Sequence, residues 1–249
     1  MTIVIAHRGA SGQAPENTIE AFRLAVEAGA DAIELDIHLT ADDHLAVIHD
    51  ESLDRTTDAT GLVAELSMAT IRAADAGARF TRPDDADPPF DGKGLTVPTL
   101  SEVLDWLPDE TGLVIEIKTR AAVDRVMEAL AVRGAPAGAL RAVISFDEVA
   151  IERVREIDPR VRTGYLLVPG QPVAPALLWA TERGHAAVLP WDGDLGIDPL
   201  PLVVEARAYG REIGCYVVND PERMKQLAAC GVWGFVTDVP DVAREALAR

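Results

Sequence analysis

The chain has 249 residues, 48% of them hydrophobic, and sets 41 acidic against 23 basic side chains for a formal charge of −18. That length can bury a substantial core as one barrel or two small domains, while the charge disfavours nucleic acid and anionic membrane surfaces, which need clustered Lys and Arg. No apolar run approaches the roughly 18 residues of a membrane span, and a strand-like stretch at 2–6 begins too early to follow a cleavable signal peptide. A cytoplasmic protein with a small or zwitterionic ligand and no membrane insertion is therefore expected. Cys215 and Cys230 stand in neither a metal-ligand nor a redox spacing and are expected to be reduced. Arg outnumbers Lys by 20 to 3, so a Lys inside a strand, as at Lys118, stands out.

From the N-terminus, a strand at 2–6 runs into His7-Arg8-Gly9. A helix is predicted to follow, with Asn17 and Glu20 spaced as a cap and a reciprocating Glu, and Gly29 stopping it. The next strand spans 31–37. Only the polar turn 40–44 separates it from the strand-like run Leu45-Ala46-Val47-Ile48-His49, and a parallel crossover needs a dozen or more residues, so this run is predicted to return antiparallel as a hairpin. The stretch 50–98, with Pro88-Pro89, several Asp and one short helical pattern near 67–76, reads as an insertion at the barrel mouth and a candidate lid; for 81–94 a loop without function is the plainer alternative. Thr99 and Glu102 repeat the cap spacing. Strands at 113–118, 141–146, 161–167, 186–190, 213–218 and 234–237 alternate with helical segments, several stopped by Gly134, Gly184, Gly210 and Gly231. With the first two strands this makes eight βα units, the pattern of an α/β fold: a single (β/α)8 TIM barrel over 1–249.

Chemistry concentrates at strand ends. In Ala32-Ile33-Glu34-Leu35-Asp36-Ile37, alternation puts the aliphatic residues on one face and Glu34 and Asp36 on the other; Ile115-Glu116-Ile117-Lys118 repeats the arrangement. The outer face of a barrel packs on helices, so the charged face must look inward at the mouth. A solvated strand end would explain any one of these carboxylates. Three sharing a partly dehydrated cavity repel one another unless protonated or joined by a cation. Their oxygen donors favour Mg²⁺ or Ca²⁺, with Mn²⁺ admitted, over Zn²⁺.

His7 closes the first strand at the mouth, beside the Arg8 fork that suits phosphate oxygens and Gly9, which permits close backbone approach or positive φ. The hairpin return brings His49 level with Leu35 and Asp36, making an acid and base pair of two imidazoles possible. Glu16 and Asn17 have helix-terminus readings, and equally could orient Arg8 or His7. His38, His44 and His185 are assigned no catalytic part.

The ordered set His7-Arg8-Gly9-Ala10-Ser11-Gly12, Pro15-Glu16-Asn17-Thr18, Glu34-Leu35-Asp36, His49-Asp50 and Leu53-Asp54-Arg55-Thr56-Thr57 resembles the glycerophosphodiester phosphodiesterase family. Pro98-Thr99-Leu100, Glu116-Ile117-Lys118, Ser145-Phe146, Val218-Asn219-Asp220 and Thr237-Asp238 carry the resemblance through nearly the whole chain. It implies a barrel enzyme that releases glycerol phosphate and an alcohol from deacylated phospholipids. Glu34, Asp36 and Glu116 match the positions that hold one divalent metal, His7 and His49 those of base and acid, and Arg8 and Lys118 those that contact phosphate. The resemblance also allows the glycerol's own hydroxyl as nucleophile, through a cyclic phosphate that water then opens.

Two departures stand out. Tyr216 occupies a position that is commonly Trp in relatives, and Gly231-Val232-Trp233-Gly234 replaces a usual Gly-Val-Asp-Gly. The first leaves head-group preference open. Phe146, Trp191 and Tyr216 are candidate aromatic walls for the alcohol, with a core role as the competing reading for Phe146. Two rival functions are a phospholipase-type barrel acting on intact lipids, for which the chain lacks an evident docking segment, and a noncatalytic phosphodiester-binding barrel.

Overall fold

The computed structural model describes residues 2–83, 85–133 and 140–248. Nine strands are placed: β1 (Ile3–Ala6), β2 (Ala32–Leu39), β3 (Leu45–Val47), β4 (Gly112–Ile117), β5 (Arg141–Ser145), β6 (Arg162–Leu166), β7 (Ala187–Leu189), β8 (Glu212–Cys215) and β9 (Gly234–Thr237). All but β3 pair in parallel in the order β1-β9-β8-β7-β6-β5-β4-β2, and β2 pairs back to β1, closing an eight-stranded TIM barrel. β3 lies antiparallel against β2 with Ile37 opposite Val47, and Ile48 N donates to the Asp36 carbonyl at 3.1 Å, which sets His49 at the mouth.

Nine α-helices accompany the strands among the described residues: α1 (Ile19–Glu27), α2 (Met68–Arg72), α3 (Leu100–Trp106), α4 (Val123–Arg133), α5 (Glu148–Ile157), α6 (Val173–Arg183), α7 (Leu200–Ala208), α8 (Pro221–Cys230) and α9 (Pro240–Leu247). No helix is long and apolar enough to cross a membrane among these residues. The box predicted at the start of α3 is present: Thr99 N donates to Glu102 Oε2 at 2.8 Å and Glu102 N to Thr99 Oγ1 at 3.2 Å. At α1 the cap is Thr18, whose Oγ1 accepts from Ala21 N at 3.2 Å, and not Asn17. Asn17 instead adopts a left-handed φ of 58°, outside any helix start, and turns its amide toward β2. Gly134 lies outside the described residues.

Alternation along the strands builds two apolar layers. Outward residues such as Ile33, Leu35, Ile115 and Val143 pack beneath the helices with Phe22, Leu100 and Val126. Inward residues, among them Ile5, Val114, Ile144, Leu166, Leu189 and Val236, fill the barrel as a plug. Burying each such side chain contributes about 1.5–3 kcal/mol, so the plug is a rigid floor beneath the mouth. Between β3 and α3, Ile48, Leu53, Val63, Met68, Ile71 and Val97 form a separate small core, and α2 within it is capped by Ser67.

Candidate active site

Above the plug the same inward positions change from apolar to charged. Asp36 on β2 is the register partner of Glu116 on β4, and Glu34 lies one inward position below. All three are buried, at 2%, 1% and 8% exposure for Glu34, Asp36 and Glu116, and one oxygen from each can be chosen so that all lie within 4.8 Å of one another. Lys118 Nζ stands 3.0 Å from Asp36 Oδ1 and 2.5 Å from Glu116 Oε1. Strict alternation would carry Arg8 to the outer face of β1. Its φ of 54°, followed by 87° at Gly9, breaks the strand and turns the guanidinium back over the mouth, with Nε 3.2 Å from Asp36 Oδ2. A Cβ at Gly9 would meet the Ala21 backbone at 2.6 Å, so only glycine fits this turn.

Supporting contacts hold these groups. Asn17 Nδ2 donates to Asp36 Oδ2 at 2.8 Å, and Arg8 N donates to Glu34 Oε2 at 2.9 Å. Glu16 accepts from Arg8 at 2.8 Å and is clamped by Arg55 at 2.7 and 2.8 Å. His7 faces Asp238 across the closure between β1 and β9, Nδ1 to Oδ1 at 2.6 Å; Ser11 Oγ and Asn219 Nδ2 donate to the same carboxylate at 2.9 and 2.7 Å. His49 Nδ1 meets Asp50 Oδ1 at 2.6 Å, and Arg55 Nε donates to Asp50 Oδ2 at 2.6 Å. His38 Nε2 lies 3.0 Å from the His49 carbonyl, so it steadies the return strand. A carboxylate can only accept, so both catalytic candidates carry their proton on Nδ1 when neutral, leaving Nε2 for chemistry.

The electrostatics divide the carboxylates. Burial, then the charges of Asp36 and Glu116, pushes Glu34 far above the usual carboxylate range. Burial and Asp36 push Glu116 up to about 7. Burial would raise Asp36 too, but Lys118 and Arg8 outweigh it and hold the group at about 2. Burial lowers His49 despite Asp36 and Asp50. The residues present fit a divalent cation: three buried oxygen donors from adjacent strands converge, and two of them resist ionising without further positive charge.

These groups surround a cavity of about 190 Å³ lined on one side by His7, Arg8, Glu34, His49, Glu116 and Lys118. Phe146 and Tyr216 line its other side, their rings edge to face at 5.8 Å and 88°. Phe146 is 38% exposed at the mouth, which removes the core reading. Trp191 is absent from this lining; it is 44% exposed and its ring folds over Gly193. Asp238, Ser11, Asn219, Asp50 and Arg55 carry contacts that the sequence reading had not assigned. Asp238 was within reach of that reading, because it shares the inward parity of Val236 two residues beyond it on β9.

Fold and site together define a class: TIM-barrel enzymes whose strand-end carboxylates, imidazoles and cationic side chains converge on one phosphate-sized cavity. Residues 7–242 match the model of the glycerophosphoryl diester phosphodiesterase family, and the chain belongs to that family. A glycerophosphodiester phosphodiesterase of Caldanaerobacter subterraneus subsp. tengcongensis is 35% identical over 247 residues, covering 96% of this chain and 95% of that one. The crystal structure of a glycerophosphodiester phosphodiesterase from Agrobacterium tumefaciens superposes with a TM-score of 0.81 at 32% identity, covering 98% of this chain and 100% of the other. An Oleispira antarctica phosphodiesterase in complex with the product sn-glycerol-3-phosphate superposes with a TM-score of 0.85 at 25% identity, over 99% and 97% of the two chains.

Proposed function

We propose that the chain hydrolyses glycerophosphodiesters to an alcohol and glycerol 3-phosphate, with one divalent cation, Mg²⁺ or Ca²⁺ and with Mn²⁺ admitted, held by Glu34, Asp36 and Glu116. When bound, the cation supplies Lewis-acid polarisation of a phosphoryl oxygen. Arg8 and Lys118 flank the cluster and neutralise the remaining phosphoryl charge. The observation that carries this reading is the convergence of three buried carboxylates, two imidazoles with free Nε2 atoms and two cationic side chains on one cavity.

His7 is the base of the first step. Its Nε2 takes the proton of the attacking hydroxyl while Asp238, fixed by Ser11 and Asn219, stabilises the imidazolium that forms. His49 is the acid: the bond from phosphorus to the alcohol oxygen breaks as its Nε2 proton passes to that oxygen. Asp50 is tied to Arg55, which holds its carboxyl far below the usual range, so it attracts the His49 proton less than a free carboxylate would. With the glycerol hydroxyl as nucleophile, the product is a cyclic phosphate; His49 then takes a proton from water and His7 returns its own to the departing glycerol oxygen. The sum is one water consumed, one alcohol and one phosphate monoester released.

Quenched single turnovers on glycerophosphocholine, with and without chelator, test the scheme. A transient cyclic phosphate and loss of turnover on chelation are expected; immediate incorporation of solvent oxygen with no cyclic species would replace the internal nucleophile with water. Undiminished calorimetric cation affinity in Glu34→Ala, Asp36→Ala and Glu116→Ala would remove the ligand assignment.

A further inference from the structure

The cavity is two-sided. Its charged wall comes from β1, β2, β4 and the residues that directly follow these strands and β3, which form one arc of the barrel. The opposite arc, from β5 round to β9, contributes Ile144, Phe146, Leu166, Tyr216, Val217 and Val236 and no charged group. Polar atoms on this arc are already committed. The Tyr216 hydroxyl donates to the Leu167 carbonyl at 2.5 Å, so the residue offers the cavity its ring alone, and Ser145 Oγ donates to the Ile117 carbonyl at 2.7 Å. Phe146 and Tyr216 meet edge to face at the rim, exposing aromatic surface toward whatever leaves the phosphate.

A phosphodiester lying with its phosphoryl group on the charged wall must send one substituent across to the apolar arc. The glycerol has two hydroxyls that need partners and is better served beside His7, Arg8 and Lys118. The leaving alcohol takes the other side. There a primary ammonium or a ring of hydroxyls finds no acceptor, and each buried donor left unmet costs about 1–3 kcal/mol. A trimethylammonium group donates no hydrogen bond, is clad in methyl groups, and gains about 0.5–2 kcal/mol over an aromatic ring. The chain's charge of −18 adds a field that favours a cationic leaving group.

We infer that the Phe146–Tyr216 arc is a leaving-alcohol subsite selective for a quaternary ammonium alcohol of the choline type. This rests on the hydrolase reading above and adds to it the class of alcohol released.

The test compares kcat/KM for glycerophosphocholine, glycerophosphoethanolamine and glycerophosphoinositol in the wild type, Phe146→Leu and Tyr216→Phe. The wild type is expected to prefer the choline ester by roughly 5- to 30-fold, from the cation–π and unmet-donor terms together. Phe146→Leu, which keeps apolar bulk at a 38% exposed position and loses the π face, is expected to shrink that ratio roughly 3-fold or more. Tyr216→Phe keeps the ring and is expected to keep the ratio. Equal kcat/KM on all three esters, or a Phe146→Leu loss that falls equally on all, overturns the subsite while leaving the hydrolase reading intact. Turnover of none of them overturns the hydrolase reading and the subsite with it.

Discussion

The inward side chains of β2 and β4 change character within four residues. Ala32 and Val114 belong to the apolar plug, while Asp36 and Glu116, register partners farther along, belong to a buried charged layer. Both layers rest on the same backbone alternation and are nearly as inaccessible to water. The plug lowers the free energy of the folded chain; the layer above raises it, because burial and mutual repulsion oppose ionisation of Glu34 and Glu116. One layer therefore serves stability and the other chemistry, and substitutions should separate them.

The sharpest separation lies in the imidazoles. His7→Ala and His49→Ala are expected to lower kcat by about 10²–10⁴ while leaving the thermal transition within a few degrees, measured by steady-state turnover beside calorimetric melts. A comparable collapse of the melting temperature would mean that these groups are structural. In the plug the expectation reverses. Leu189→Ala, at a 1% exposed position, should cost about 2–5 kcal/mol in urea unfolding with kcat of the folded enzyme little changed.

A pH series sharpens the contrast within the charged layer. Because Glu116 is pushed up to about 7 from the ordinary 4.5, a proton competes with the cation below pH 7, and affinity should fall roughly tenfold per pH unit there. The cation-free protein should respond in the opposite sense: a raised carboxyl pKa contributes stability below pH 4.5 that is lost as pH rises toward 7. Titration calorimetry and chelated melts between pH 5 and 8 read the two slopes, and parallel slopes would break the assignment. The smallest effect expected is a gain. Glu34→Gln keeps an acceptor for Arg8 N, removes one buried charge, and should stabilise the chelated protein by about 1 kcal/mol at pH 8.

Legibility in the sequence followed the range of the interaction. Strand alternation is local, so the barrel, its inward carboxylates and the return of the chain to His49 could be read from a few consecutive residues each. The cap at Thr99 and Glu102 was equally local. At Asn17 two local readings competed, and the cap went to Thr18 because the Asn17 amide has a buried carboxylate to satisfy, a contact that exists only once α1's preceding loop folds over β2. Partners fixed by closure were out of reach of any window: His7 and Asp238 are 231 positions apart, and Arg55 joins Glu16 across 39. Phe146 failed for another reason. Its inward parity after Ile144 was visible, but whether that position is floor or rim depends on how high β5 stands at the mouth, which composition does not encode.

The pairing of β1 with β9 has a consequence for the timing of function. During synthesis the three carboxylates on neighbouring strands could gather long before the chain is finished, whereas the imidazole at the end of the first strand acquires its aspartate only when the last strand docks. A nascent or truncated molecule could thus hold a cation and still lack a competent base. Turnover then reports on a ring that has shut, a stricter criterion than compactness or helix content.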